Sequence, residues 1–132
     1  AELDENETII KELSKYHPKD TEIRSMLGGL LLSGEKVDQT IKTLSGGERA
    51  KVALTKMLLT KPHVIIMDEP TNHLDLHSKN VIKHMLENFN GTSLIVSHDR
   101  DLLEHVSNKV WLIGGGKLQT FDDPEKGFCE VF

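Results

Sequence analysis

The sequence predicts an α/β domain with a parallel sheet, and three observations support this fold class. Residues 64–67 and 93–96 are short runs that are apolar throughout except for Ser93, which is typical of parallel strands buried on both faces. Apolar residues at helical spacing precede and separate these two runs. Three consecutive glycines at 114–116 lie between two later extended stretches and indicate a β-hairpin.

The N-terminal region, up to about residue 41, is predicted to be helical and irregular. Asp4 and Glu7 have the spacing of a capping box, so a short helix is expected to follow Asp4. Asp20 is expected to cap a second helix. Gly28 and Gly29 are expected to end that helix, because glycine accepts the left-handed conformation found at helix C-termini.

The remaining elements follow from alternating helical and extended patterns. Helices are predicted at about 45–59, 78–89 and 101–106. The apolar side of the first of these comprises Ala50, Ala53, Leu54, Met57 and Leu58. Hairpin strands are predicted at 110–113 and 117–121. The resulting order is helix, strand, helix, strand, helix and hairpin.

Composition restricts the possible classes of function. A chain of 132 residues that is 37% hydrophobic and 28% charged is typical of one soluble globular domain. Its net charge of -5 repels nucleic-acid phosphates on average, so the sequence carries no direct nucleic-acid signal. No apolar run approaches the roughly 20 residues of a membrane helix, and no secretory leader opens the chain. The single cysteine cannot form an internal disulfide, and a cytoplasmic protein is predicted.

A pair of carboxylates ends the first apolar run. Asp68 and Glu69 follow the predicted strand and precede Pro70. Because α/β proteins bind ligands at the carboxyl ends of parallel strands, Asp68 is placed to hold a magnesium ion through water. Glu69 is placed to orient or deprotonate an attacking water molecule. The alternative is that both acids simply end a strand in solvent.

Residues 44–48, with the sequence LSGGE, open the helix predicted at 45–59. Ser45 and Glu48 form a capping box, which could by itself explain the start of the helix. Gly46 and Gly47 need a further reason, because each glycine destabilises a helix by about 1 kcal/mol relative to alanine. Their bare backbone N–H groups lie at the positive end of the helix and could approach a phosphate closely.

A histidine, His98, follows the second apolar run. If the two predicted strands lie side by side, His98 emerges near Glu69 and could contact a terminal phosphate. The alternative is a structural histidine. Between the two sites, residues 71–75 form a polar loop directly after the carboxylates.

In this order, the segments LSGGE, VIIMDEP, TNHLD and VSHD resemble the signature, Walker B, D-loop and switch histidine of ABC ATPases. The resemblance covers about residues 44–99. Residues 27–35, 72–73 and 97–100 are similar to the ABC-F branch of that superfamily. The fold that the resemblance implies is a partial P-loop NTPase domain with a helical signature subdomain, parallel strands and a C-terminal β-hairpin.

The resemblance also implies site residues, with ATP and Mg²⁺ as cofactors. It implies that Asp68 holds the magnesium through water, Glu69 is the catalytic base and His98 contacts the γ-phosphate. The signature, which clasps the γ-phosphate of ATP held by an opposing domain, corresponds to Ser45, Gly46, Gly47 and Glu48. The D-loop at the interface with that second ABC ATPase domain includes Asn72 and Asp75.

The chain departs from the family because it lacks the P-loop pattern G-x-x-x-x-G-K followed by serine or threonine. In the nearest match, residues 29–37, Glu35 stands where the lysine is required, and neither Lys36 nor Val37 supplies the hydroxyl. The chain is therefore expected to be the C-terminal part of one ABC ATPase domain, and to be inactive alone. Its helical signature region is expected at about 1–60, and the Walker B, D-loop, switch histidine and hairpin at about 61–132.

The function that the resemblance implies is ATP hydrolysis by an ABC-F-like protein that remodels ribosomes or acts elsewhere in translation. A ribosome contact would lie in regions outside this chain. One alternative is the nucleotide-binding domain of a membrane transporter whose span lies on another chain; the pair Asn72-His73 favours ABC-F. The other alternative is a non-catalytic interaction module that binds a partner through the exposed dimer face.

Several other residues are expected to have only structural roles. Lys51 and Lys56 are predicted to lie on the solvated face of the helix at 45–59. Trp111 is predicted to pack against the rest of the domain. Residues 122–124 are predicted to form a turn, and Cys129 to lie in a tail.

Overall fold

The computed structural model describes residues 2–131 and confirms the predicted α/β class and element order. Two short 3-10 helices, at Gly34–Asp38 and Ile41–Thr43, lie between the second and third α-helices. The elements in chain order are α1 (Ile9–Ser14), α2 (Asp20–Gly29), α3 (Gly46–Leu59), β1 (Val64–Asp68), α4 (Leu76–Glu87), β2 (Thr92–Val96), α5 (Arg100–Val106), β3 (Val110–Gly114), β4 (Lys117–Phe121) and α6 (Pro124–Val131).

The first helix begins later than predicted. Thr8, rather than Asp4, is the N-cap of α1, and its hydroxyl accepts a hydrogen bond from the backbone N–H of Lys11 at 3.4 Å. Asp4 instead accepts from the N–H of Asn6 in a preceding turn. Thr8 also pairs with Thr40 in an isolated antiparallel bridge. This long-range pairing fixes the backbone just before α1, so it decides where the helix starts.

The second helix ends at Gly29 as predicted, but Asp20 is not its N-cap and neither glycine is left-handed. α2 starts at Asp20 with no side-chain cap, and it ends at Gly29. The left-handed residue is Leu31, with a φ of 63°, and not one of the two glycines. Leu32 then donates its N–H to the carbonyl of Leu27 at 2.8 Å, which satisfies one of the open carbonyls of the helix end.

Helix α3 connects two hydrophobic cores. Its Val52 and Leu59 belong to the first core, whose other members are Ile9, Ile10, Leu13, Ile23, Leu27, Leu32, Val37, Ile41 and Leu44. Its Leu54 and Met57 pack against the second core, which comprises Leu30, Ile65, Met67, Leu74, Ile82, Leu86 and Leu102. The α3 helix is therefore held on two sides.

Strands β1 and β2 form a parallel pair, in register from Val64 opposite Thr92 to Asp68 opposite Val96. Ile65 and Met67 are buried on the side where α4 and α5 pack. On the other side Ile66 is 70% exposed. The prediction that both faces are buried is therefore wrong for the described residues. Both faces of this strand pair carry apolar residues, but among the described residues helices cover only the face with Ile65 and Met67.

Strands β3 and β4 form the predicted antiparallel hairpin. Gly115 and Gly116 connect them with φ of 56° and 72°, the left-handed pair that a two-residue hairpin turn requires. Trp111 is exposed within this chain, so the prediction that it packs is wrong. Helix α6, which was predicted as a turn and tail, packs on the hairpin and begins at Pro124, a residue suited to a first helical turn.

A buried ion pair joins α1 to α3. The carboxylate of Glu12 is 2% exposed and bonds Lys15 at 2.9 Å and Lys56 at 3.1 Å. Lys56 also donates to the carbonyl of Glu2 and lies over the Tyr16 ring, so its predicted free exposure is wrong. Burial alone would raise the pKa of the Glu12 carboxyl, but the hydrogen bonds from Lys15 and Lys56 outweigh it and lower that pKa.

Replacing Glu12 with glutamine is expected to lower the free energy of unfolding by about 3 kcal/mol at neutral pH, because Lys56 loses its buried counter-charge. The folded-state pKa of Glu12 is depressed, so its contribution is present above its ordinary pKa of 4.5 and is lost as pH falls through the folded value. The difference in stability is therefore expected to shrink below pH 4.5, as measured by urea unfolding.

The matched control is Glu22→Gln, which removes an exposed carboxylate that pairs with Lys19 and lies 3.1 Å from Nε2 of His17. This variant is expected to change stability by less than about 1 kcal/mol. A Glu12→Gln penalty that stays constant as the pH is lowered would contradict the ion-pair explanation.

Candidate functional site

The carboxyl ends of β1 and β2 bring the predicted catalytic side chains to one edge of the sheet. Glu69 leaves β1 and donates its N–H to the carbonyl of Val96 at 2.7 Å, at the last residue of β2. Two residues further on, the Nε2 of His98 lies 3.8 Å from Oε1 of Glu69. The parallel register therefore places the histidine beside the carboxylate.

The side chains at this edge are open to ligands. His98 is 91% exposed, and the side chain of Glu69 is partly exposed. Asp68 is also exposed, and within residues 2–131 its carboxylate makes no hydrogen bond or ion pair. Free carboxylate oxygens at a sheet edge suit a hard cation such as Mg²⁺ and its bound water, so the donor chemistry fits the predicted magnesium site.

The backbone turns sharply where the carboxylates leave the sheet. Glu69 has a φ of 48° and His73 a φ of 62°, both in the left-handed region that side-chain-bearing residues rarely adopt. Asn72 closes the turn by donating its N–H to the carbonyl of Glu69 at 3.1 Å. Such conformations destabilise the chain by about 1–3 kcal/mol each and concentrate at functional sites.

A hydrogen bond clamps the loop after β1 to the loop after β2. The hydroxyl of buried Thr71 donates to Oδ2 of Asp99 at 3.2 Å. The other oxygen of Asp99 accepts from the N–H of Leu102 and caps α5. Sequence reasoning did not identify this clamp, although an aspartate directly before a helical stretch is a recognisable N-cap. Thr71 and Asp99 hold the Glu69 and His98 loops together.

The predicted signature residues form the first turn of α3. Ser45 and Glu48 make both bonds of the capping box, at 3.2 and 3.1 Å. The free Oε2 of Glu48 bonds the ammonium of Lys36 at 2.5 Å. The Lys36 bond, followed by the N–H of Ser45, lowers the pKa of the Glu48 carboxyl. Lys36 therefore balances an acid that would otherwise repel a phosphate at this helix end.

Asp75, the predicted D-loop residue, bonds groups of its own chain. It caps α4 by accepting from the N–H and the hydroxyl of Ser78, at 2.9 and 2.8 Å, and it bonds Nζ of Lys51 at 3.1 Å. The bonds from Ser78 and then Lys51 hold the pKa of the Asp75 carboxyl well below its ordinary value of 3.8. Lys51 is buried, which contradicts its predicted exposure. Asn72, in contrast, is exposed.

Comparison with known proteins identifies a family for this sequence. Residues 1–72 match the sequence model of a family described as "ABC transporter". The matched range includes the first turn of α3 and the carboxylates that follow β1, and it ends before His98. None of the helices formed by residues 2–131 has the length and apolar character needed to cross a membrane.

Curated relatives match nearly the whole chain. YdiF of Bacillus subtilis, named as an ATP-binding protein, is 40% identical over 123 residues, which are 92% of this chain and 19% of YdiF. YheS of Haemophilus influenzae, also named as ATP-binding, is 35% identical over 118 residues, 88% of this chain and 18% of YheS. The chain thus spans about a fifth of the length of these relatives.

A solved structure shows the same fold. The protein titled "RNase-L Inhibitor" superposes with a TM-score of 0.74 at 24% sequence identity, covering 92% of this chain and 25% of that one. At this identity the likeness concerns the fold alone.

Replacing Lys36 with methionine is expected to raise the pKa of the Glu48 carboxyl, because the bond from Lys36 is the main cause of its depression. Carbon-detected NMR titration of the glutamate side chains measures this directly. Lys42→Met, which removes an exposed lysine from the neighbouring 3-10 helix, is the control and is expected to leave the Glu48 pKa unchanged. An unchanged Glu48 pKa in Lys36→Met would contradict the charge-balancing role.

Proposed function

The chain belongs to the ABC transporter family of ATP-binding domains, and its curated relatives are of the ABC-F type. We propose that, in a longer protein, it supplies the residues of an ATPase site that carry out hydrolysis. The observation that carries the proposal is the approach of His98 to Glu69 at the edge where exposed Asp68 also lies. The phosphate-binding loop is absent from the sequence, so a complete site needs residues outside this chain.

In the proposed site, Asp68 would hold Mg²⁺ through water at the end of β1. The ion would supply charge neutralisation on the phosphate oxygens. Glu69 orients the attacking water and accepts its proton, while His98 donates a hydrogen bond to the γ-phosphate. The clamp between Thr71 and Asp99 supports this arrangement, because it ties the two loops that carry Glu69 and His98.

The first turn of α3 is proposed to act on a second nucleotide. Ser45, Gly46 and Gly47 present a hydroxyl and backbone N–H groups at the positive end of a 14-residue helix. In the proposed assembly this end contacts the γ-phosphate of ATP held by a second ABC ATPase domain. Asn72, exposed on the D-loop, faces that same partner. ATP binding closes the pair of domains, and hydrolysis reopens it.

Replacing Glu69 with glutamine in the full-length protein is expected to lower the rate of phosphate release by about 10²- to 10⁴-fold, because glutamine cannot accept a proton from water. ATP binding is expected to persist, so nucleotide should remain bound through gel filtration in a closed assembly. Phosphate release and retained nucleotide are the two measurements.

The matched control is Glu87→Gln, which makes the same chemical change at the far end of α4 and should leave turnover intact. Normal hydrolysis in the Glu69→Gln protein would exclude Glu69 from the mechanism. Failure of the unmodified full-length protein to bind ATP at all would instead favour a non-catalytic interaction module.

We also propose that the full-length protein is a cytoplasmic ABC-F ATPase whose output is ribosome remodelling. The support is the resemblance of the Asn72-His73 pair to the ABC-F branch, together with the similarity to the ABC-F-type ATP-binding proteins YdiF and YheS. The competing function is that of a nucleotide-binding subunit bound to a membrane transporter.

The Glu69→Gln full-length protein is expected to sediment with ribosomes in ATP and not in ADP, because only ATP closes the paired domains. Sedimentation of purified ribosomes and of membrane vesicles, each with both nucleotides, distinguishes the two functions. Binding to vesicles without binding to ribosomes would contradict the ribosomal function and favour the transporter function.

A further inference from the structure

The start of α3 touches the loop after β1 at two points on one helix face. A Cβ atom at Gly47 would lie 3.5 Å from the carbonyl oxygen of His73, so helix and loop backbones are in close contact there. One helical turn further on, Lys51 reaches Asp75 with an Nζ–Oδ1 distance of 3.1 Å. Residues four apart lie on the same side of a helix, so both contacts join α3 to the same loop.

The Lys51 contact is well suited to fix this geometry. Lys51 is 8% exposed, and a lysine at that depth is strongly destabilising unless its charge is paired. Its partner Asp75 is itself held by two bonds from Ser78 at the first turn of α4. Because both ends of the ion pair are anchored in helices, it sets the separation between α3 and the start of α4.

The loop that this pair anchors begins at the carboxylate of the proposed site. Five residues separate Glu69 from Asp75, and Thr71 within this stretch is bonded to Asp99. The loop is therefore tied to the His98 side at Thr71 and to α3 at Asp75. A short bonded segment therefore connects α3 to the backbone of Glu69, which is in a left-handed conformation.

We propose that Lys51 is a positioning residue that couples the first turn of α3 to Glu69 through Asp75. This inference rests on the proposed ATPase function. When Ser45 and its neighbouring glycines engage a phosphate across the domain interface, Lys51 keeps the loop at 71–75 in register with α3. The catalytic carboxylate is thereby held in a fixed position relative to the signature. Lys51 itself touches no reacting atom.

Lys56 provides a matched control on the same helix. Like Lys51, Lys56 has little exposed surface and forms an ion pair, in this case with Glu12 at 3.1 Å. Its partner, however, lies on α1 and not in the loop at 71–75. Loss of either lysine removes one partner of an internal ion pair, so both methionine variants are expected to unfold more easily. Only the Lys51 variant is expected to alter catalysis.

The test compares Lys51→Met, Lys51→Arg and Lys56→Met in the full-length protein. Lys51→Met is expected to lower kcat about tenfold with KM for ATP nearly unchanged, since misalignment affects the chemical step and not nucleotide binding. Lys51→Arg keeps the charge and is expected to restore most of kcat. Lys56→Met is expected to lower Tm and leave kcat unchanged. Equal kcat losses in both methionine variants, or none in Lys51→Met, would overturn the proposal.

A double-mutant cycle identifies the route of the coupling. Asp75→Asn keeps an acceptor for the α4 cap but removes the charge that pairs with Lys51. Combined with Lys51→Met it is expected to lower kcat no further than Lys51→Met alone. Independent, additive losses would show that Lys51 does not act through Asp75.

Amide hydrogen exchange separates this inference from the proposed function. In the full-length protein, Lys51→Met is expected to accelerate exchange at residues 71–75, whereas Lys56→Met should not. Absence of ATPase activity in the unmodified full-length protein would contradict the proposed function. The exchange measurement would still test whether Lys51 holds the loop at 71–75 against α3. Unchanged exchange in Lys51→Met would overturn the link itself.

Discussion

The rest of the structure depends on α3, a single helix that is packed into two cores at once. Val52 and Leu59 belong to the first core, while Leu54 and Met57 pack against the second. Because protein interiors are close-packed, this helix cannot tilt without opening a gap on one side. The glycine-bearing start of α3 and the carboxylate edge of β1 are therefore held in one relative arrangement by packing, before any bond between them is considered.

The sequence was sufficient to predict the order of elements, because each apolar run, capping box and glycine turn is a local signal. Its errors arose where distant contacts decide the outcome. Pairing of Thr8 with Thr40 moved the start of α1 away from Asp4. The apolar character of β1 predicted burial of both faces, but periodicity cannot tell whether a covering element is present. Ile66 is accordingly exposed.

The positions of the main candidate site residues were predictable for the same reason. Asp68, Glu69 and His98 end or follow parallel strands, and parallel strands deliver their carboxyl ends to a shared edge. Their supports were not predictable. Lys36 lies 12 residues from Glu48, and Lys51 lies 24 residues from Asp75. No helical or strand spacing links such pairs. The sequence alone therefore does not distinguish a buried, paired lysine in a helix from an exposed one.

The uncovered face of the parallel pair carries Val64, Ile66, Leu94 and Val96, all exposed. Within the described residues this sheet has only two strands, so each strand also keeps one unpaired backbone edge. A flat apolar surface bordered by open hydrogen-bonding groups is a template on which like molecules stack. At high concentration the chain is therefore expected to self-associate through these four aliphatic side chains.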